Sequence, residues 1–330
     1  MGAGEAAVES ERPRTAVAGF LNIDKPAGLT SFDVVRHLRR AAGTRRVGHT
    51  GTLDPAATGV LPVAIGVATK LVDELVGARK RYVGSITLGV ETDTCDADGA
   101  VVAESDASAV TEAQVERALA AFRGELMQTP PAYSAVKRDG VPAYKAAREG
   151  KPHKLEPRPV TVHSLELLAI DGPLLTVEVE CGKGFYMRAL AHDLGALLGV
   201  GGHLNALRRT AVGRFVEADA TPLDEAVGRL ERGETQTLVH ALDAVLDHWP
   251  ALILGRESVA AVRNGRDVQP ALVNLRRAGE AGERARGYGP DGRLVALLEA
   301  SAIPGVWHPY RVFPAAAAAS PSETESHSGV

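Results

Sequence analysis

The sequence predicts an α+β fold in two units, and three observations carry that reading. Alternating strand-like stretches mix with capped helical ones, without the regular βαβ succession of a doubly wound sheet. The clearest alternation, residues 174–181, places Leu175, Val177, Val179 and Cys181 on one face and Thr176, Glu178 and Glu180 on the other. The chain after residue 248 breaks into short apolar pieces separated by Asn264-Gly265, Gly289-Pro290, Asp291-Gly292 and Pro304-Gly305. Such a pattern reads as a small β-rich unit of roughly 65 residues, a size that still folds.

In chain order, a polar start leads into a short apolar strand, residues 19–23. Thr30 and Asp33 have capping-box spacing, with Val34, Val35 and Leu38 on one face, which predicts a helix over 31–42. Tyr82, Gly84, Ile86, Leu88 and Val90 alternate as one face of a strand over 82–90. Thr111 and Gln114 open a further helix, with Val115, Leu119 and Phe122 on its buried side. Residues 160–168 and 174–181 form a strand pair around Asp171-Gly172-Pro173. Met187, Leu190, Leu194 and Leu197 mark a helix that stops in the glycine run 199–202. Two more helices are expected near 223–231 and 236–247. The expected organisation is a disordered tail over 1–18, a main unit over 19–235, the small unit over 248–313 and a disordered tail over 314–330.

Composition narrows the function classes. At 330 residues and 45% hydrophobic content the chain can bury a core, and two cysteines exclude a disulfide scaffold. The first fifteen residues carry acids and no apolar run, so they do not read as a secretory signal. No apolar stretch approaches the roughly 18 residues of a membrane span. A cytoplasmic protein is expected. The net charge of −4 looks unfavourable for a nucleic-acid partner, but it is an average. Residues 19–90 carry +5 and 121–160 carry +4, against −7 over 91–120 and −5 over 215–330. A basic face on an acidic chain is compatible with phosphate binding, and equally with an ordinary solvated surface.

The segment 45–59 (RRVGHTGTLDPAATG) is the densest in chemistry, a loop with four glycine or proline positions. It holds Arg45, Arg46, His49 and one carboxylate, Asp54. A carboxylate beside cations stays ionised and can act as a nucleophile; an Asp before Pro can equally be an Asx turn. A second cluster, 181–188 (CGKGFYMR), sets Tyr186 and Arg188 at a strand-to-helix bend, suited to stacking on a base and pairing with an anion. Arg79, Lys80 and Arg81 precede Tyr82 at the head of a strand. No phosphate-binding glycine loop, dinucleotide fingerprint, HExxH or zinc-deaminase pattern occurs. Residues 93–99 (DTCDADG) only faintly match a calcium loop and read as a solvated hairpin turn, so no metal and no cofactor is expected.

Together these segments resemble the bacterial TruB-type tRNA pseudouridine-55 synthases. The resemblance runs through residues 22–31 (NIDKPAGLTS), 48–55 (GHTGTLDP) with 57–59, 80–82 (KRY) and 92–96 (TDTCD). It continues through 129–137 (TPPAYSAVK) with Tyr144, Ala147 and Arg148, then 181–190, 203–204 and 207–210 (LRRT), covering about 19–215. It implies a catalytic domain on a mixed, mostly antiparallel sheet with a central RNA-binding cleft, and a PUA-like C-terminal domain. It implies Asp54 as the catalytic aspartate, Arg188 as its arginine partner, and Tyr82 as the residue that stacks on the target base and accepts the C5 proton. Tyr186 and Leu207 are implied to hold the base, and His49 to contact the RNA beside the flipped uridine. Phe185 stands where many relatives carry Thr or a small residue, which bears on packing behind Tyr186.

The implied reaction converts uridine 55 in the T arm of tRNA to pseudouridine without cofactor or metal, in a monomer. Basic blocks around 36–46, 79–81 and 137–158 would track RNA phosphates. In the C-terminal unit, contact would rest on arginines such as Arg263 and Arg266. A tRNA-folding chaperone role is a second expectation. A glycoside hydrolase using Asp54 would need a second carboxylate about 5–9.5 Å away, and the loop offers none.

Overall fold

The computed structural model describes residues 17–134, 136–138, 140–150, 153, 155–269 and 279–314. The tails expected at 1–18 and 314–330 therefore lie outside the described residues, apart from Val17, Ala18 and Pro314. β1 (Gly19–Lys25) leads into α1 (Ser31–Ala41), whose start is fixed by reciprocal bonds. The Asp33 N–H donates to the Thr30 hydroxyl at 3.1 Å and the Thr30 N–H to the Asp33 carboxylate at 3.0 Å. β2 (Val47–His49) and β3 (Thr58–Ile65) follow, then a 3-10 turn over Gly66–Leu71, α2 (Val72–Val76) and β4 (Lys80–Leu88). A hairpin of β5 (Val90–Thr92) and β6 (Val101–Glu104) precedes α3 (Glu112–Ala120) and β7 (Gly124–Gln128). Next come β8 (Lys137–Arg138), β9 (Val141–Pro142), α4 (Ala143–Arg148), β10 (Arg158–Asp171), β11 (Leu174–Cys181) and α5 (Met187–Leu198). β12 (Gly202–Val212), β13 (Phe215–Val216), β14 (Thr221–Pro222) and α6 (Leu223–Glu231) complete the main unit. β15 (Ala251–Ile253), α7 (Arg256–Arg263), β16 (Arg284–Tyr288), β17 (Leu294–Ala300) and β18 (Trp307–Val312) form the C-terminal one.

The main sheet runs β14-β1-β3-β12-β4-β11-β10-β7. Its pairings are antiparallel except β1–β14 and the central β3–β12 contact, where Arg208 faces Thr58 and Arg209 faces Gly59. Gly59 sits at φ 98°, and a Cβ there would come 2.2 Å from the Arg209 carbonyl oxygen, so only glycine lets the two strands meet. The junction divides the interior. One core packs β1 and β3 against α1 and α6 through residues such as Ile23, Val35, Leu61 and Leu230. The other packs β4 and β11 against α3 and α5 through Ile86, Val177, Leu119 and Leu190. Tyr82 and Leu207 pack against both, which places them on the seam.

The C-terminal sheet runs β15-β16-β17-β18 and has its own core around Leu254, Val262, Leu298 and Trp307. A further apolar cluster joins it to the main sheet, where Leu294, Leu297 and Phe313 pack with Phe20, Val60, Leu71 and Phe215.

Three local expectations are corrected. The strand expected over 82–90 begins at Lys80 and ends at Leu88, because Gly89 turns the chain at φ 85° and Val90 starts the next strand. The helix expected over 236–247 is only a 3-10 turn over Leu242–Leu246. His240 exchanges backbone hydrogen bonds with Phe20 (3.0 and 2.8 Å), and that pairing breaks the helical run. The loop read over 45–59 is shorter, since β2 and the start of β3 leave only 45–46 and 50–57 outside strands. Pro62 within β3 hides that strand from a reading by propensity.

Candidate active site

The Asp54 loop is pinned on both sides of the carboxylate. The Leu53 N–H donates to the Ser31 hydroxyl at 2.8 Å, and that hydroxyl donates to the Leu53 carbonyl at 3.1 Å. The fully buried Lys25 ammonium donates to the carbonyls of Pro26 (2.9 Å), Leu29 (2.7 Å) and Pro55 (3.1 Å). Burial lowers its pKa to about 8, with Asp54 and Asp33 acting in the opposite sense. The Gly28 N–H also donates to the Pro55 carbonyl. Fixed this way, Asp54 keeps 46% of its side chain exposed, open to a substrate.

Arg188 enters from the first turn of α5 with 7% of its side chain exposed. Its Nε lies 3.0 Å from Asp54 Oδ2 and its Nη1 3.5 Å from Asp96 Oδ2. Nη1 also donates to the Thr94 carbonyl and Nη2 to the Tyr133 carbonyl (3.3 and 2.8 Å). The guanidinium is thus oriented by two carboxylates and two carbonyls. Asp96 arrives because the 93–98 turn docks on β12. The Leu204 N–H donates to the Cys95 carbonyl and the Ala97 N–H to the Leu204 carbonyl, with Cys95 held at φ 61°. The segment read as a solvated hairpin turn is therefore part of the site. Burial is the largest influence on the Asp54 carboxyl and raises its pKa; Arg188 opposes this, Asp96 adds to it and Lys25 opposes it. The cation favours the anion as expected, but desolvation outweighs it.

The remaining candidate residues surround this pair. Tyr82 lies on β4 opposite Arg209 of β12, beside Leu207 on the seam. Tyr186 directly precedes α5, and its backbone is clamped by Gln128, which is 2% exposed. The Tyr186 N–H donates to Gln128 Oε1 at 2.8 Å, and Gln128 Nε2 donates to the Tyr186 carbonyl at 3.1 Å. Burial raises the pKa of both tyrosine hydroxyls. His49, on β2, has its pKa lowered by burial and by Arg209, which favours the neutral ring. Phe185 packs on the core shared by β4, β11 and α5.

Asp96, Lys25 and Arg209 lay inside motifs but carried no assigned role, because their partners are backbone carbonyls or a residue from a distant segment. Gln128 had no sequence signal at all. One basic block is largely occupied: Arg79 and Arg81 both pair with Glu180 (2.9 and 3.2 Å), and Lys80 is 8% exposed, donating to the Val76 and Ala78 carbonyls. Arg36, Arg40, Arg45 and Arg46 are exposed, with Arg36 paired to Asp33. Among the described residues no three His, Cys, Asp or Glu side chains converge as a metal site would require, and no helix is long and apolar enough to cross a membrane.

Comparison with known proteins bears on the family and the fold. Residues 39–187 match the family model of the TruB family pseudouridylate synthase N-terminal domain. Residues 188–248 match that of the tRNA pseudouridylate synthase B C-terminal domain. The tRNA pseudouridine synthase B of Azoarcus sp. (strain BH72) is 46% identical over 257 residues, 78% of this chain and 85% of that protein. That of Mycobacterium sp. (strain KMS) is 46% identical over 286 residues, 85% of this chain and 92% of its own. Among solved structures, an H/ACA RNP bound to a substrate RNA containing 2'-deoxyuridine is similar with TM-score 0.68 and 26% identity, covering 90% of this chain and 85% of that one. A Cbf5-Nop10-Gar1 complex is similar with TM-score 0.67 and 28% identity, covering 90% and 84%. The shared fold, the two matched models and the extent of identity lead to one assignment: the chain belongs to the TruB family of pseudouridylate synthases.

Proposed function

We propose that this protein isomerises uridine 55 in the T arm of tRNA to pseudouridine, with Asp54 as the catalytic carboxylate. The observation that carries the reading is the Asp54–Arg188 pair at 3.0 Å, set in a loop pinned on both sides and open to solvent. The relatives named tRNA pseudouridine synthase B support tRNA as the substrate. The isomerisation breaks N1–C1′, turns the base and joins C5 to C1′; N1 gains a proton and C5 loses one. Asp54 attacks the sugar or the base, or assists proton abstraction, while Arg188 holds its carboxylate. Tyr82 stacks on the base and takes the C5 proton, Tyr186 and Leu207 hold the ring, and His49 contacts the RNA beside it. Extracting a nucleotide from its stack costs a few kcal/mol, which the aromatic and apolar pocket on the seam offsets. No cofactor takes part.

Phosphates would run over the exposed arginines of α1 and the following loop, where Phe32 is also 59% exposed. Residues 19–235 act as the catalytic domain and 248–313 as a PUA-like domain contacting RNA through the exposed Arg263 and Arg266. The protein works as a cytoplasmic monomer. Asp96 does not favour the glycosidase alternative: its Oδ1 accepts from the Thr94 hydroxyl (2.5 Å) and the Asp98 N–H (3.2 Å), and its Oδ2 faces Arg188.

The test is incubation of purified protein with unmodified tRNA, followed by mapping of pseudouridine. Product at position 55, lost in Asp54→Asn, is expected. Activity that survives unchanged in Asp54→Asn would remove the carboxylate's role. Refolding of tRNA by the same variant reads out the chaperone role separately, since chaperoning needs binding but not the carboxylate.

A further inference from the structure

Arg209 is the most deeply buried arginine near the site, 1% exposed, and among the described residues no carboxylate pairs with it. Its Nε donates to the Val60 carbonyl at 2.7 Å, Nη2 to Gly51 at 3.2 Å and Nη1 to Thr52 at 3.5 Å. Those carbonyls belong to β3 and to the loop that presents Asp54. Tyr82 stands directly opposite Arg209 on the neighbouring strand β4. Carbonyl dipoles solvate a guanidinium without cancelling its charge, whereas Arg188 shares its charge with Asp54 and Asp96.

We propose that Arg209 is a positioning residue of the isomerisation: it holds the Asp54 loop against the strand pair that carries Tyr82 and sets a positive charge beside Tyr82, which makes the Tyr82 oxygen a proton acceptor. The inference rests on the reading of Tyr82 given above. Once C5 has joined C1′, the C5–H bond breaks and its electron pair becomes the C5=C6 bond. The pair of the C6=N1 bond moves to N1, which takes a proton from water. The C5 proton goes to the Tyr82 oxygen in its anionic form, and the phenol later returns it to solvent. Arg209 of β12, Cys181 of β11 and Asp54 of the loop are the charged or titratable groups acting on that oxygen. Burial raises the pKa of the hydroxyl, and Arg209 is the largest influence in the other direction. Cys181, 1% exposed with its thiol pushed up to about 12, contributes no anion near neutral pH.

The experiment is a double-mutant cycle of Arg209→Met with Tyr82→Phe, read as single-turnover pseudouridine formation across pH, with melting curves as a check on folding. In the wild-type background, Arg209→Met is expected to lower the rate roughly 10–100-fold, as loss of an acid–base aid does. Half-saturating tRNA stays within about twofold, so the loss falls on the chemical step and not on binding. The pH limb at which the rate rises with Tyr82 ionisation moves to higher pH. In the Tyr82→Phe background the same substitution costs markedly less, the remainder being its hold on the Asp54 loop. Equal losses in both backgrounds, or an unmoved limb, would overturn the proposal. Arg209→Lys runs the same cycle if Arg209→Met does not fold, with a smaller loss and the same non-additivity. Wild-type protein that forms no pseudouridine at all refutes the proposed function instead, before any variant is compared.

Discussion

The cleft of the main sheet and the C-terminal sheet use their cations in opposite ways. In the cleft, Lys25, Lys80, Arg188 and Arg209 are all less than a tenth exposed, and each is held by backbone carbonyls. In the C-terminal unit, Arg284 lies 5.7 Å from the Trp249 ring and 5.0 Å from the Tyr310 ring with 43% of its side chain exposed, reaching across to Glu74 at 3.4 Å. Burying a charge is costly unless every donor finds an acceptor, so buried cations occur where they hold loops in one geometry. Exposed cations over aromatic rings contribute less and tolerate movement. The difference teaches that in this molecule the precise work of the cations lies in the cleft, while those of the second sheet help to dock one unit on the other.

The comparison breaks most visibly at Arg188. Arg188→Met leaves Asp54, Asp96 and two carbonyls without their donor; the arginine is buried but both carboxylates keep contact with water, so the loss is that of charged hydrogen bonds, about 1.5–3 kcal/mol. Denaturant melts should show that loss, and pseudouridine formation should fall roughly 100–1,000-fold, as when one oriented charge-stabilising donor is deleted. Gln128→Leu comes next. It strips the Tyr186 N–H and carbonyl of their partner, an expected loss of about 1–3 kcal/mol in thermal melts. Half-saturating tRNA should rise if Tyr186 holds the base as proposed, because its backbone then loses its fixed place.

Asp96→Asn sharpens the comparison without dismantling it. The Asp54 pKa is raised, so its ionised form, and with it kcat/KM, falls away with acid at a higher pH than for an ordinary aspartate. Asp96 adds to that raise; its neutral replacement should therefore shift the acid limb to lower pH, and a limb that stays put would show that burial alone sets it. The smallest effect is expected at Arg284→Ala. It should destabilise by about 1 kcal/mol, the range of exposed cation–π contacts, and leave pseudouridine formation unchanged.

Much of the fold was legible because it rests on local signals. The Thr30–Asp33 and Thr111–Gln114 boxes, the alternation of 174–181 and the glycine end of α5 all act within a few residues. The elements that were misread depend on partners far along the chain. The helix expected over 236–247 yields to the bridge between His240 and Phe20, and Val90 leaves its strand because Gly89 turns toward Gly201 and Ser105. The site divides in the same way. Asp54, Arg188, Tyr82 and Tyr186 were expected from motifs, and the pairing of Asp54 with Arg188 is present at 3.0 Å. Gln128 and the doubled use of Arg188 by Asp96 have no spacing that could announce them.

By itself the sequence determined the α+β class, the family resemblance and the residue types available for chemistry, since these follow from side-chain patterns and short-range capping. Only the tertiary structure decided which charges are free to act. The basic triplet at 79–81 proved largely occupied by Glu180 and backbone carbonyls, while Arg209, one arginine among 29, became a buried charge with no counter-ion among the described residues. A charge's effect depends on its partners and on the water left around it, and both are set by packing between segments that the linear order keeps apart.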